Sequence, residues 1–171
     1  AGKSVLCEKP LACSTDEIDR LIEAADRNQV TIQEAAMMRF HPQTSYLREL
    51  VSNRAVGDMR LVRGLFTYSL TNQTDVRLDP KQGGGSLWDL GSYCVSFTRA
   101  ILEAEPVQVM ASSVQSDRGV DLSLAGQMQF ADGVLAQFFS SFQTFAHIEA
   151  DLLGTEGRMQ VTTPWVNQLE R

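Results

Sequence analysis

The sequence is poor in cysteine, in histidine and in positive charge, and each scarcity excludes a class of function. Its three cysteines and two histidines are spread over 171 residues. Cys7 and Cys13 lack a second pair at zinc-finger spacing, and the histidines lie far apart, so we expect no metal site. The three cysteines cannot all pair, and each lies in or beside an apolar segment, which predicts reduced core thiols in a cytoplasmic protein.

The charge and hydropathy patterns exclude further partners. The formal net charge is −6 at pH 7, and lysines and arginines are scattered. A nucleic-acid surface needs clustered cations, so we expect no nucleic-acid partner. No apolar stretch approaches the length of a membrane span, and the first residues show no hydrophobic signal region. We therefore expect no membrane partner and a cytoplasmic location.

The first forty residues have the pattern of a strand–helix–strand unit. Residues 3–8 predict a buried strand, and a second strand runs from Val30 to about Ala36. Ser14 and Glu17 have the spacing of a capping box. The helix they begin carries an apolar stripe at Ile18, Leu21, Ile22 and Ala25. A unit this compact predicts a parallel crossover, the building block of a doubly wound sheet.

The rest of the chain predicts helices followed by strands. A short helix near 46–51 precedes a strand over 59–70, a polar loop over 71–85 and a helix over about 86–103. The helix has a core stripe of Leu90, Cys94, Phe97 and Ile101. After Pro106 the apolar residues alternate, beginning with Val107, Val109 and Ala111, and hairpin signals occur at 131–133 and 154–157. These patterns predict an α+β fold with an antiparallel sheet and helices on one face.

Three residues form a candidate group for proton transfer. Lys9 follows the first strand, where the edge of a parallel sheet binds its ligands. Asp89 and Tyr93 lie one helical turn apart, directly after Gly83-Gly84-Gly85, so their side chains project from the same side. Lys, Asp and Tyr at a strand end and a helix start are suited to acid–base chemistry.

Each of these features also has a purely structural interpretation. Lys9 could form a surface ion pair. Asp89 could be an acid that the helix dipole favours in the first turn, and Tyr93 could be a tyrosine at the edge of the core. The glycine run could cradle a phosphate or only let a loop enter a helix beside another backbone. We expect His41 to be a structural, hydrogen-bonded histidine. No nucleophile elbow or paired carboxylates favour a hydrolase.

Several segments, in order and spacing, resemble the Gfo/Idh/MocA family of NAD(P)-dependent oxidoreductases. Many members have a histidine where this chain has Tyr93. In having a tyrosine there, the chain resembles the subgroup near dihydrodiol dehydrogenase and glucose-fructose oxidoreductase. The matching segments are Glu8-Lys9-Pro10, Arg39-Phe40-His41-Pro42, Gly83-Gly84-Gly85, Asp89-x-Gly91-x-Tyr93 and Gly154-Thr155-Glu156-Gly157.

The resemblance implies a fold and a division into domains. Residues 1–40 would be the C-terminal remnant of a Rossmann dinucleotide-binding domain. Residues 41–171 would form an α/β domain for substrate binding and dimerisation, incomplete at its C-terminus. The chain would cover about half of a typical member, without the glycine-rich fingerprint, and we therefore expect the chain alone to be inactive. The open face of the sheet would make a homo-oligomer.

The resemblance also implies an activity and residue roles. The reaction would be hydride transfer between NAD or NADP and a secondary alcohol or ketone of a sugar, polyol or diol. Lys9 would bind the reacting oxygen and the nicotinamide ribose, Tyr93 would be the acid/base assisted by the Lys9 charge, and Asp89 would orient that pair. Glu8, Pro10 (through a cis bond) and Arg39 would bind the cofactor, and Phe66, Arg77 and Tyr93 the substrate.

Two other functions remain open from the sequence. The chain could be a non-catalytic sheet domain that serves oligomer assembly or small-ligand binding. It could also be a transport or regulatory domain built on the same sheet, which the combination of Lys9, Asp89 and Tyr93 disfavours.

Overall fold

The first sheet is a small parallel pair. The computed structural model describes residues 2–165. Strand β1 (Val5–Cys7) leads through helix α1 (Thr15–Arg27) to strand β2 (Ile32–Glu34), which pairs with β1 in parallel. The predicted crossover is therefore confirmed.

Residues 2–165 contain no helix that is long and apolar enough to cross a membrane.

The predicted burial of this unit was wrong. Val5 is 50% exposed and Leu6 is 71% exposed, so this parallel pair is not a buried core within residues 2–165. Ile22 of the predicted helical stripe is likewise 48% exposed, and only Ala25 of that stripe is buried. Both strands are also shorter than predicted.

The ends of α1 follow the sequence signals. The Ser14 hydroxyl accepts a hydrogen bond from the backbone N–H of Glu17 at 3.3 Å. The Glu17 carboxylate accepts from the backbone N–H of Cys13 at 2.8 Å, one residue earlier than in a standard capping box. Asn28 caps the C-terminal end.

The second sheet has six strands, which are β3 (Met59–Ser69), β4 (Gln108–Gln115), β5 (Asp121–Gln129), β6 (Leu135–Ser141), β7 (Gln143–Gly154) and β8 (Arg158–Val161). Their order in the sheet is β4-β5-β6-β3-β7-β8. Neighbours pair antiparallel except β3 and β6, which are parallel. Helix α3 (Ser92–Leu102) packs against one face of the sheet, and helix α2 (Pro42–Ser52) packs against α3 in the same core cluster. This arrangement confirms the α+β prediction of a largely antiparallel sheet with helices on one face.

Strand β4 does not contribute to the core as its alternating sequence predicts. Every residue of β4 is exposed, and Val107 and Val109 are 64% and 67% exposed. Among the described strands, β4 is an edge strand that pairs with β5 alone, and the core cluster around α3 includes none of its residues. An alternating sequence of apolar and polar residues indicates a strand, but it does not indicate which strands of the sheet the helices cover.

The core lies between α3 and the middle of the sheet. The predicted stripe of Leu90, Cys94, Phe97 and Ile101 is confirmed, each residue being 1–2% exposed. Gly64 of β3 allows this close packing, because a Cβ there would lie 3.1 Å from the sulfur of Cys94. Burial raises the pKa of the Cys94 thiol. All three cysteines are free, but Cys13 is exposed, so the prediction of core thiols was wrong for that residue.

Shortening Ile101 to valine is expected to destabilise the chain by about 1 kcal/mol, because a buried methylene is lost and a small cavity remains. Ile22, which is 48% exposed, provides the matched control. Urea unfolding of the two variants measures the difference. Equal free energies of unfolding for Ile101→Val and Ile22→Val would contradict the placement of Ile101 in the core.

Candidate functional site

Lys9 lies just past the C-terminal end of β1, at the edge of the parallel pair. The Lys9–Pro10 peptide bond is cis, as the resemblance implied. The next residue is held in place by β2, because the backbone N–H of Leu11 donates to the Glu34 carboxylate at 2.9 Å. The Lys9 side chain is 20% exposed. The segment therefore presents a partly desolvated ammonium group at the strand end.

The ammonium group of Lys9 binds Asp89 at two points. Its Nζ atom donates to the backbone oxygen of Asp89 at 2.8 Å and to Asp89 Oδ1 at 2.9 Å. Asp89 lies in a π-helical turn, Leu87–Gly91, which runs directly into α3. The predicted helix over 86–103 is thus present, but its first turn is wider than an α-helix. Such π-turns are frequent at functional sites.

Tyr93 completes the group. The Nζ atom of Lys9 lies 4.9 Å from the centroid of the Tyr93 ring. Phe66 packs edge-on against the same ring, at 5.5 Å between centroids. Lys9, Asp89 and Tyr93 therefore meet, as the sequence predicted, although the ammonium group contacts the ring rather than the hydroxyl.

The Tyr93 phenol is protonated over a wide pH range. Burial, and then the negative charges of Asp89 and Glu8, raise its pKa above the ordinary value. Its hydroxyl has no hydrogen-bond partner within residues 2–165. The phenol is thus a proton donor with no protein acceptor in the described part of the chain.

The second carboxylate oxygen of Asp89 has two further donors. Arg77 Nε donates to Asp89 Oδ2 at 2.8 Å, and the Tyr68 hydroxyl donates to the same oxygen at 3.2 Å. Arg77 is itself oriented by Asp75 at 3.2 Å. Asp89 is 18% exposed and is surrounded by two cations and a phenol. This arrangement fixes the carboxylate, and through it the ammonium group of Lys9.

A small cleft of about 70 Å³ opens beside these residues. Pro10, Met38 and Trp88 give it apolar walls, and Lys9, Glu34 and Tyr93 give it polar ones. Four residues of this region, Tyr68, Trp88, Glu34 and Met38, were not among the predicted site residues. Tyr68 could have been found as the neighbour of Phe66 two positions along β3, on the same face of the strand.

The remaining predicted site residues fall into two groups. Glu8 is exposed but close enough to influence the pKa of Tyr93. Arg39 is not brought to the Lys9 group and lines a separate charged cleft with Arg48, Arg99, Glu103 and Glu105. Its role in binding the cofactor stays a prediction.

The glycine run is packed against protein rather than open to a phosphate. A Cβ on Gly84 would lie 2.7 Å from the backbone oxygens of Arg77 and Asp79. Only glycine fits such an approach, which favours the structural interpretation of the run. His41 is also structural, since its Nδ1 accepts from the backbone N–H of Gln43 at 3.2 Å and caps α2. Within residues 2–165, no group of three or more His, Cys, Asp or Glu side chains could hold a metal ion.

Tyr68 is expected to make the chain sensitive to alkaline pH. Burial, and then the charge of Asp89, raise the pKa of Tyr68 from 10.0 to about 12. Because the folded pKa is the higher one, its contribution to stability is complete below pH 10 and is lost as the pH rises toward 12. The stability difference between the wild type and Tyr68→Phe should therefore shrink over that range.

The measurement is urea unfolding of both chains at a series of alkaline pH values. Tyr46→Phe provides the control, since Tyr46 is 61% exposed on α2. A difference for Tyr68→Phe that stays constant across the range would mean that the pKa of Tyr68 is not raised in the folded chain.

Two family models match the chain. The GFO/IDH/MocA C-terminal domain matches residues 44–160. The oxidoreductase family NAD-binding Rossmann fold matches residues 1–36.

Named relatives match nearly the whole chain. A trans-1,2-dihydrobenzene-1,2-diol dehydrogenase from Danio rerio is 37% identical over 162 residues, which is 94% of this chain and 48% of that protein. A D-xylose 1-dehydrogenase (NADP(+)) from Haloferax volcanii is 37% identical over 161 residues, 93% of this chain and 49% of that protein. The chain thus spans about half the length of the curated relatives it matches.

A solved structure has the same fold. The aldose-aldose oxidoreductase from Caulobacter crescentus, complexed with glycerol, superposes with a TM-score of 0.91 at 26% identity. The match covers 98% of this chain and 51% of that one.

Proposed function

The chain belongs to the GFO/IDH/MocA family of oxidoreductases, and from this premise we propose that the whole protein is an NAD- or NADP-dependent dehydrogenase. Its reaction would be hydride transfer between the nicotinamide and a secondary alcohol or ketone of a sugar, polyol or diol. The observation that carries the proposal is the convergence of Lys9, Asp89 and Tyr93 beside one cleft.

Tyr93 is the acid/base of the proposed reaction. In the reducing direction, the carbonyl carbon of the substrate gains a hydride and its oxygen gains the Tyr93 proton. The raised pKa of Tyr93 suits this step, because the phenol is protonated at neutral pH. In the oxidising direction, the phenolate takes the proton back from the substrate hydroxyl. The nearby charge of Lys9 lowers the cost of that phenolate.

Lys9 binds the reacting oxygen and is positioned by Asp89. Two hydrogen bonds to Asp89 leave the third ammonium proton for a substrate oxygen. A cation at that oxygen stabilises the negative charge that develops as the carbonyl is reduced. Arg77 and Phe66 form the substrate side of the site, Arg77 through its contact with Asp89 and Phe66 through its contact with Tyr93.

The residues at the cleft fit the nicotinamide end of the cofactor. Pro10 and Trp88 offer apolar walls for a flat ring, and Lys9 and Glu34 offer polar groups at its edge. Glu8 would lie on the side of the cleft that binds the cofactor. When bound, the nicotinamide supplies or accepts the hydride. The tightly packed glycine run has no room for the pyrophosphate, so we place that group outside the described residues.

We also propose a domain division, an assembly and a location for the whole protein. Residues 1–40 would belong to the dinucleotide-binding domain and residues 41–171 to the substrate-binding and dimerisation domain, in a cytoplasmic protein. The sheet face opposite the helices would pair two copies. Leu65, Met110 and Phe139 line a hollow of about 560 Å³ on that face, which gives a second copy an apolar surface to cover.

Activity of the whole protein tests the proposal. The protein would be mixed with NAD⁺ or NADP⁺ and a panel of aldoses, polyols and trans-diols, and reduced nicotinamide followed by absorbance. Coenzyme binding would be followed by tryptophan fluorescence, since Trp88 lines the cleft. We expect binding of one coenzyme and turnover of at least one substrate class. Folded protein that binds neither coenzyme would instead favour the non-catalytic sheet domain.

A further inference from the structure

The helix that carries Asp89 and Tyr93 is anchored by a carboxylate from the sheet. Asp121 is the first residue of β5. Its Oδ2 atom accepts hydrogen bonds from the Ser86 hydroxyl and from the backbone N–H of Leu87, both at 2.7 Å. Ser86 is fully buried and its hydroxyl also lies 3.0 Å from that of Ser140 on β6. The start of the helix is therefore attached to two strands.

Gly85 has the backbone conformation that this contact requires, and it has no side chain to block the contact. Its φ angle is +121°, and a Cβ at this position would lie 2.1 Å from Asp121 Oδ1. Any side chain would take the space of the carboxylate. The glycine-rich entry to the helix is thus complementary to an anion, and the anion is the side chain of Asp121.

The anchored turn is the one that binds Lys9. Leu87, which donates to Asp121, begins the π-helical turn Leu87–Gly91. The same turn supplies both acceptors of the Lys9 ammonium group, the backbone oxygen and Oδ1 of Asp89. A shift of this turn along the sheet would displace both acceptors together. Arg77 and Tyr68 hold only the outer oxygen of Asp89.

We propose that Asp121 is a positioning residue of the active site, which fixes the π-helical turn so that Asp89 directs Lys9 toward the substrate oxygen. The inference rests on the proposed dehydrogenase function. Asp121 does not touch the reacting atoms and acts through Leu87 and Asp89. Its effect therefore falls on the geometry of the reacting complex rather than on the affinity for the coenzyme.

Kinetics of Asp121→Ala and Asp121→Asn in the whole protein test the inference. Asp121→Ala removes both carboxylate oxygens of this residue. Asp121→Asn keeps the side-chain volume and serves as the second variant in case the alanine variant does not fold. We expect kcat to fall by about tenfold to a hundredfold, since misplacement by about 1 Å has effects of this size. The KM for the coenzyme should change by less than about twofold, as expected when an interaction acts only in the transition state.

Amide hydrogen exchange adds a readout that does not depend on activity. Exchange over residues 87–91 should become faster in both Asp121 variants, while exchange in the central strands stays at the wild-type rate. Asp132→Ala provides the control. Asp132 also accepts from a backbone N–H, that of Val134 at 3.2 Å, but in the turn between β5 and β6.

The outcomes separate the two hypotheses. A wild-type protein that turns over substrate, with Asp121 variants that keep its kcat, overturns the positioning role alone. The same holds if the Asp132 variant loses as much kcat as the Asp121 variants. A folded wild type with no activity on the panel and no coenzyme binding removes the proposed function, and this inference with it.

Discussion

Replacement of Tyr93 by phenylalanine is expected to lower kcat of the whole protein by about 10²–10⁴-fold, the usual range for loss of a general acid. The variant lacks only the hydroxyl. Its ring can keep the edge-on contact with Phe66 and the contact with the Lys9 ammonium group. The fold and the coenzyme affinity should therefore survive. Steady-state kinetics with the best substrate of the panel, in both directions, measure the loss.

Tyr46→Phe is the matched control for this experiment, because Tyr46 is exposed on α2 and lies outside the site. It should keep the wild-type rate. The direction of reaction gives a second check, since both directions need the same proton and should suffer alike. A Tyr93→Phe enzyme within a few-fold of the wild type would remove Tyr93 from the chemistry, and water or another group would have to supply the proton.

Replacement of Lys9 by methionine is expected to lower kcat by about 10²–10³-fold, the effect of losing one donor to a developing oxyanion. Methionine keeps most of the aliphatic length of lysine. Asp89 retains Arg77 and Tyr68 as donors, so its carboxylate is not left unpaired. We therefore expect a folded protein with a lowered turnover. Kinetics and thermal unfolding of the same preparation distinguish the two effects.

Lys81→Met provides the control for charge removal, because Lys81 is exposed in the short 3-10 helix Pro80–Gln82, just before the glycine run. The double variant Lys9→Met/Tyr93→Phe tests whether the two residues act as a unit. We expect it to lose little more activity than Tyr93→Phe alone, because effects within one catalytic group are not additive. Full additivity would mean that Lys9 acts independently of Tyr93.

The sequence was sufficient for the features that depend on local patterns. The helical stripe from Leu90 to Ile101 and the turn at 154–157 follow from spacing alone. The meeting of Lys9 with Asp89 was predictable because each lies at the end of an element and both belong to segments that resemble one family. Local patterns could not predict the exposure of Leu6 or of Val109, because burial depends on which layers cover a strand.

The other donors around Asp89 illustrate a second limit. Tyr68 reaches Asp89 from β3 and Arg77 reaches it from the 3-10 turn Val76–Leu78, and no local pattern in the sequence places either donor beside that carboxylate. Asp121 lies 34 residues after Leu87, and only the register of β5 brings them together. Such contacts depend on tertiary packing, and a single sequence records them weakly.

Trp165 links the far end of the described chain to the Tyr93 ring. It is 2% exposed, and its ring lies 6.4 Å from that of Tyr93 and 5.1 Å from that of Phe97. Its indole N–H donates to the backbone oxygen of Leu65 at 3.4 Å. The phenol is thus backed by a residue that follows the last strand. We expect trimming of the chain before Trp165 to remove the packing behind the Tyr93 ring, which would couple the proposed catalysis to the completion of the sheet domain.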